Sequence, residues 1–157
     1  MDSDSLKLAA EYLSRARTTH RRLDELAESI RPEGEAEAYR LQRRLHKNLT
    51  QSGHGTAVGH KIGCTTPIMQ RYLGIASPCA GGVFEPTAHH RSGTFAFDRL
   101  LHPGVECELA VRLSDDLVPD NAPFDAVSVA DAVGAVTPAI EIVDDRWVDY
   151  KAIDTPS

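Results

Sequence analysis

Three glutamates, Glu106, Glu108 and Glu141, are the residues whose types and spacing could do chemistry. Glu106 and Glu108 lie two residues apart in GVECELAV (104–111), where apolar and polar residues alternate as in a β-strand. Side chains two apart on a strand share one face, so the two carboxylates lie side by side. They repel each other unless a proton or a cation lies between them. The alternative is a polar face that simply meets water, where glutamate is common.

The third glutamate strengthens the cation interpretation. Glu141 lies in TPAIEIVD (137–144), another predicted strand, between Ile140 and Ile142. Apolar neighbours on both sides predict a strand buried on both faces, where a lone carboxylate is costly unless its charge is compensated. Three carboxylates offer hard oxygen ligands, which suit Mg²⁺ or Mn²⁺ better than zinc.

The elements that must position these residues fall into two parts. Residues 1–50 predict a helical segment, because apolar residues recur there at helical spacing. The three stripes are Leu6, Ala9, Ala10 and Leu13; Leu23, Leu26, Ala27 and Ile30; and Ala38, Leu41, Leu45 and Leu49. From residue 51 to 157, β-branched residues, glycines and prolines dominate, so this part predicts strands within the same single domain.

The strand-rich part can be divided further. Strands are predicted at 57–63, 94–100, 104–113 and 137–144, helices at 67–74 and 122–136, and a long loop at 76–93. Together with the N-terminal helices, this pattern predicts the α+β class.

Bulk composition excludes several classes of function. The net charge of −6 argues against a nucleic-acid binder, and no apolar run is long enough for a membrane span. Residues 51–157 hold all of the acidic surplus, with seven Lys and Arg against fourteen Asp and Glu. The N-terminus has no apolar signal sequence. Cys64, Cys79 and Cys107 are widely spaced, which indicates reduced thiols in a cytoplasmic protein.

Three blocks carry a family resemblance: HKIGCTTPIMQRYLGI, PGVECELAV and AIEIVDDRWVDYK, in this order. Together they resemble the fumarylacetoacetate hydrolase superfamily, and within it the 2-keto-4-pentenoate hydratase branch. The resemblance implies helices packed around a mixed, rolled β-structure. It also implies that Glu106, Glu108 and Glu141 hold one divalent cation, Mg²⁺ or Mn²⁺.

The resemblance implies a function as well. Such hydratases add water to 2-hydroxypenta-2,4-dienoate in aromatic meta-cleavage catabolism and give 4-hydroxy-2-oxopentanoate. The ligand would therefore be a small 2-oxo or 2-hydroxy acid, and the complete protein is expected to be a homo-oligomer. Two alternatives stay open: the related 2-oxo-hex-3-enedioate decarboxylase, and a non-catalytic fragment.

Four further residues are candidates for the site. Lys61 lies on a predicted strand between Gly59 and Gly63, which leave its face open, and the resemblance favours it as the proton shuttle over an ordinary surface lysine. Thr65, Thr66 and Gln70 begin the predicted short helix, where they could bind substrate or merely cap the helix.

The resemblance also bears on length. In the family a substantial C-terminal part with more strands follows the segment that ends here at KAIDTPS (151–157). We therefore expect the rolled β-structure to be incomplete at the C-terminus, and residues 51–157 to be the N-terminal part of the catalytic domain. Unpaired strand edges and exposed apolar surface would follow.

Overall fold

The computed structural model describes residues 1–149, which contain four α-helices and four strands. They form two compact units. The first unit is Met1–Leu101 with the segment from Arg146, and the second unit is His102–Asp145. None of the helices in these described residues has both the length and the apolar character needed to cross a membrane.

Two helices open the first unit, α1 (Ser3–Thr18) and α2 (Glu35–Gln51). They follow two of the three predicted stripes. Small side chains on α1 let the helices approach closely, and the residues buried between them form a core. This core consists of Ala9, Ala10, Leu26 and Leu41.

The middle stripe, from Leu23 to Ile30, does not form the predicted helix; it contains only a 3-10 turn, Glu28–Ile30. Leu23 instead makes an isolated parallel β-bridge to Trp147. The Leu23 N–H donates to the Arg146 carbonyl at 2.7 Å. This long-range pairing fixes an extended backbone at Leu23, while Leu26 still reaches the core.

The predicted strand and short helix that follow are both present, as β1 (Ala57–Gly63) and α3 (Pro67–Leu73). The prediction of a continuous loop over 76–93 is wrong, because Cys79–Phe84 is a strand, β2. β2 pairs antiparallel with β1. Its glycines give a weak strand pattern, so the strand depends on this pairing and not on local propensity.

The predicted strand at 94–100 is also wrong. The segment contains a 3-10 turn, Phe97–Arg99, and the Phe97 side chain is 78% exposed. Although residue types alternate in this segment, it does not pair with a strand in residues 1–149.

The second unit is a long antiparallel ribbon of β3 (Pro103–Leu113) and β4 (Val133–Asp144), with helix α4 (Ala126–Asp131) between them. The helix predicted at 122–136 is therefore much shorter. Asp125 caps α4 by accepting the Ser128 N–H at 2.8 Å, and the chain turns into β4 at Val133, which pairs with Leu113. The antiparallel ribbons and helices agree with the α+β class.

Candidate metal centre

The register of the β3–β4 ribbon brings the three glutamates together. Glu106 lies directly opposite Glu141, and Glu108 lies opposite Ala139. Glu106 and Glu108 share a face by their spacing, and cross-strand partners share a face by pairing, so all three carboxylates lie on one side. One carboxylate oxygen from each glutamate lies within 4.8 Å of the others.

The donor set fits a hard divalent cation. Three oxygens that bind one Mg²⁺ from the same side at about 2.1 Å lie about 3 Å from one another. The three carboxylate oxygens lie within 4.8 Å of one another, so a shift of up to about 1.8 Å would suit Mg²⁺. Glu106 and Glu108 are exposed and can turn to make it, and Ala139 leaves room beside Glu108.

Electrostatics give a second reason to place a cation there. Like charges directly opposite each other on a ribbon destabilise it, typically by a few tenths of a kcal/mol to about 1 kcal/mol. Glu106 and Glu141 occupy such positions, with Glu108 diagonal to the pair. A divalent cation among the three would offset this repulsion. Their role as ligands stays a prediction from sequence and geometry.

The reverse face of the same ribbon is apolar and open. Val105 is 70% exposed, Leu109 73% and Ile140 72%. The prediction that the Glu141 strand is buried on both faces is therefore wrong for the described residues. Glu141 itself is half-buried, while its neighbour Ile140 projects outward. The apolar run in β4 marks a surface that association with other protein surface would cover.

Lys61 lies on the β1–β2 ribbon in the first unit. Its cross-strand partner is Gly81, and its stem runs across that residue, because a Cβ on Gly81 would lie 3.2 Å from Lys61 Cγ. On the other face, helix α2 packs against β2, where His46 lies against Gly82. Lys61 is exposed, and the glycines around it leave its face open as the sequence predicted.

The three polar residues after β1 have different local roles. The Thr66 side chain caps α3 by accepting the Met69 N–H at 3.3 Å, and Gln70 Nε2 donates to the Cys64 carbonyl at 2.9 Å. Thr65 is exposed beside them. Capping thus accounts for Thr66, and substrate binding by Thr65, Thr66 and Gln70 stays a prediction.

Sequence reasoning missed one close pair. Cys64 and Cys79 are fifteen residues apart, yet their sulfur atoms lie 3.8 Å apart where β1 and β2 pair. The signal that could have found them was a second strand at 79–84, which would have placed Cys79 opposite Gly63.

No protein-family model matches the chain. The chain is 33% identical over 153 residues to the 2-keto-4-pentenoate hydratase of Paraburkholderia phymatum, covering 95% of the chain and 56% of that relative. The 2-keto-4-pentenoate hydratase of Burkholderia vietnamiensis is 31% identical over 150 residues, with the same coverage. The chain thus spans about half the length of the curated relatives it matches.

The fold agrees with a solved structure. The 4-oxalocrotonate decarboxylase from Pseudomonas putida G7, complexed with magnesium and adipate, superposes with a TM-score of 0.82 at 22% identity. The match covers 96% of this chain and 56% of that enzyme. The sequence similarity of this chain to the 2-keto-4-pentenoate hydratases runs over 95% of its length, which confirms the resemblance seen in the three sequence blocks.

Proposed function

We propose that this chain supplies the metal centre and the proton shuttle of a divalent-metal-dependent hydratase. Its substrate would be 2-hydroxypenta-2,4-dienoate and its product 4-hydroxy-2-oxopentanoate. The observation that supports this most is the convergence of Glu106, Glu108 and Glu141 on one face of a ribbon, in a homologue of named hydratases. Magnesium in the structurally similar decarboxylase supports a divalent cation in the proposed site.

The substrate carries a carboxylate beside an oxygen at C2, and this pair of oxygens suits a hard cation. When bound, Mg²⁺ or Mn²⁺ would act as a Lewis acid that withdraws electron density from the C2 oxygen. Glu106, Glu108 and Glu141 would hold the cation from one side and leave other positions to the substrate and water.

Lys61 would move the protons. Its Nζ would take the proton of the 2-hydroxyl group and return one to C5, which leaves a conjugated 2-oxo acid. Water then adds its hydroxyl at C4, and C3 gains a proton. A general acid–base group of this kind typically contributes about 10²–10⁴-fold to a rate. Thr65, Thr66 and Gln70 are proposed to orient the acid.

We also propose that this chain holds only part of the rolled β-structure that catalysis needs. The chain spans 56% of the Paraburkholderia phymatum hydratase, and the β3–β4 ribbon has a highly exposed apolar face. We propose that the two ribbons belong to a rolled β-structure completed by further strands, and that the complete protein assembles as a homo-oligomer. The chain by itself would then bind metal weakly and turn over little substrate, or act only as a non-catalytic fragment.

The test is an assay of two purified proteins with the dienol and Mg²⁺. One is the chain alone, and the other is the chain fused to the part of the Paraburkholderia phymatum hydratase that lies outside the match. We expect the fusion to form 4-hydroxy-2-oxopentanoate and the chain alone to form little of it. A fusion with a cooperative melting curve but no such product would contradict the proposal.

A second candidate function is the decarboxylation of 2-oxo-hex-3-enedioate. The structural match to a decarboxylase favours it. The same fusion, given that diacid, would release carbon dioxide, and the product mass separates this loss from the gain of water in hydration.

A further inference from the structure

Cys64 and Cys79 form a thiol pair at the end of the β1–β2 ribbon. Their sulfur atoms lie 3.8 Å apart, and neither is in a disulfide. A disulfide bond is about 2.05 Å long, so the two sulfurs must approach by roughly 1.8 Å to form one. Rotation of the two side chains can supply much of this distance without breaking the ribbon.

The backbone holds the pair in place. Cys79 is the cross-strand partner of Gly63, and a Cβ on Gly63 would lie only 3.5 Å from Cys79 Sγ. That distance is an ordinary van der Waals contact, so it places the Cys79 sulfur across the ribbon, beside residue 63 and next to Cys64. Cys64 has a φ of 57°, in the left-handed region, and its carbonyl accepts a hydrogen bond from Gln70 Nε2 at 2.9 Å. These contacts hold the two thiols close together, where β1 ends and β2 begins.

Exposure makes the pair accessible to a small oxidant. Cys79 is exposed and Cys64 is half-buried. Reactivity toward oxidants follows thiolate character and access, so Cys79 is the thiol that meets the oxidant first, and Cys64 is the neighbour positioned to resolve it.

We propose that Cys64 and Cys79 form a reversible intrachain disulfide when the protein meets a peroxide. The Cys79 thiolate attacks one oxygen of hydrogen peroxide, the O–O bond breaks, and a sulfenic acid and hydroxide form. The Cys64 thiolate then attacks the Cys79 sulfur, the S–O bond breaks, and the hydroxide that leaves is protonated to water. Both thiols are oxidised by one peroxide, and a small dithiol reverses the step by exchange.

The bond would close a loop that contains α3. It would fix the backbone at Cys64, which directly precedes Thr65 and Thr66 and lies three residues after Lys61. Oxidation would thus act on the segment proposed to bind substrate. Formation of the disulfide does not depend on that assignment, because it follows from the sulfur positions alone.

The experiment counts thiols in the purified 157-residue chain, with Cys107→Ser as the matched control. Hydrogen peroxide is added and removed with catalase, and thiols are titrated in denaturant. We expect the count to fall from three to one in the parent chain and from two to none in Cys107→Ser. Peptide mapping should show Cys64 joined to Cys79, with the mass of two hydrogen atoms lost, and dithiothreitol should restore the thiols.

Two variants complete the test. Cys64→Ser and Cys79→Ser should each fail to form an intrachain disulfide under the same treatment. Retention of both thiols in Cys107→Ser would overturn the proposal. So would a parent chain that forms only disulfides between molecules, or only bonds that involve Cys107.

Discussion

The two ribbons of this chain are built alike but are covered differently. In the first unit, helix α2 packs against β2, where Phe84 is only 2% exposed and contacts the ring of His46. There Gln42 and Tyr39 of α2 make hydrogen bonds to the Ala80 backbone, both at 2.9 Å. In the second unit, the apolar face of the β3–β4 ribbon stays largely exposed.

The difference shows that strand register and burial position residues in different parts of this chain. Strand register alone brings Glu106, Glu108 and Glu141 together, without a covering layer. In the first unit, by contrast, the burial of Phe84 and the hydrogen bonds from α2 also hold the β1–β2 ribbon in place. The geometry of the candidate metal centre is therefore set by strand pairing in the second unit, while the ribbon that carries Lys61 is also held by packing of β2 against a helix.

The largest expected effect concerns Lys61 in the fused hydratase. Lys61→Met keeps much of the stem over Gly81 but removes the amine, so kcat should fall by about 100-fold or more, while Mn²⁺ affinity changes less than about twofold. Steady-state kinetics and a metal titration on the same preparation check this. Lys47→Met, an exposed lysine of α2, is the matched control. Unchanged kcat would make Lys61 an ordinary surface lysine.

Core packing should respond next most strongly, and differently in the two units. Leu49 of α2 is fully buried, so Leu49→Ala should lower the free energy of unfolding by about 2–4 kcal/mol. Leu109 is 73% exposed, so Leu109→Ala should change it by less than about 0.5 kcal/mol. Urea unfolding of the chain measures both. Similar losses from the two variants would mean that the second ribbon is covered in solution.

A smaller effect is a pH dependence of stability that arises at His46. Burial, together with the nearby charges of Arg17 and His60, lowers the pKa of His46 below its ordinary 6.5. The folded chain therefore holds this proton less tightly than the unfolded chain, so this contribution to stability is present above about pH 6.5 and is lost as the pH falls through that region. Urea midpoints at pH 7.5 and 5.5 should differ more in the parent chain than in His46→Gln. The exposed His90→Gln control should behave like the parent, and an equal pH difference in His46→Gln would refute the assignment.

Prediction from the sequence succeeds where local pattern and pairing agree. β1 has the predicted bounds, and α3 starts at Pro67 and ends before Gly74 in the left-handed conformation. The spacing of Glu106 and Glu108 predicted a shared face, and the register with Glu141 brings the third carboxylate to it.

Two of the failures share a physical cause, because long-range contacts decide them. Leu23 has helical spacing but pairs with Trp147, more than a hundred residues away. β2 is rich in glycine and becomes a strand through β1 and α2, so local propensity gave no sign of it. The same pairing brings Cys79 to Cys64, which spacing along the chain could not indicate.

The central claim, that Glu106, Glu108 and Glu141 hold one divalent cation, is tested most directly by titrating the chain with Mn²⁺ and following the free ion by electron paramagnetic resonance. We expect weak binding of one ion, because exposed carboxylates can move apart. Glu106→Gln should weaken it at least about tenfold, since it removes one charged ligand and leaves the side-chain shape. Glu85→Gln, a change at an exposed carboxylate outside the cluster, should bind Mn²⁺ as the parent does. Equal affinity in the parent and Glu106→Gln would contradict the claim.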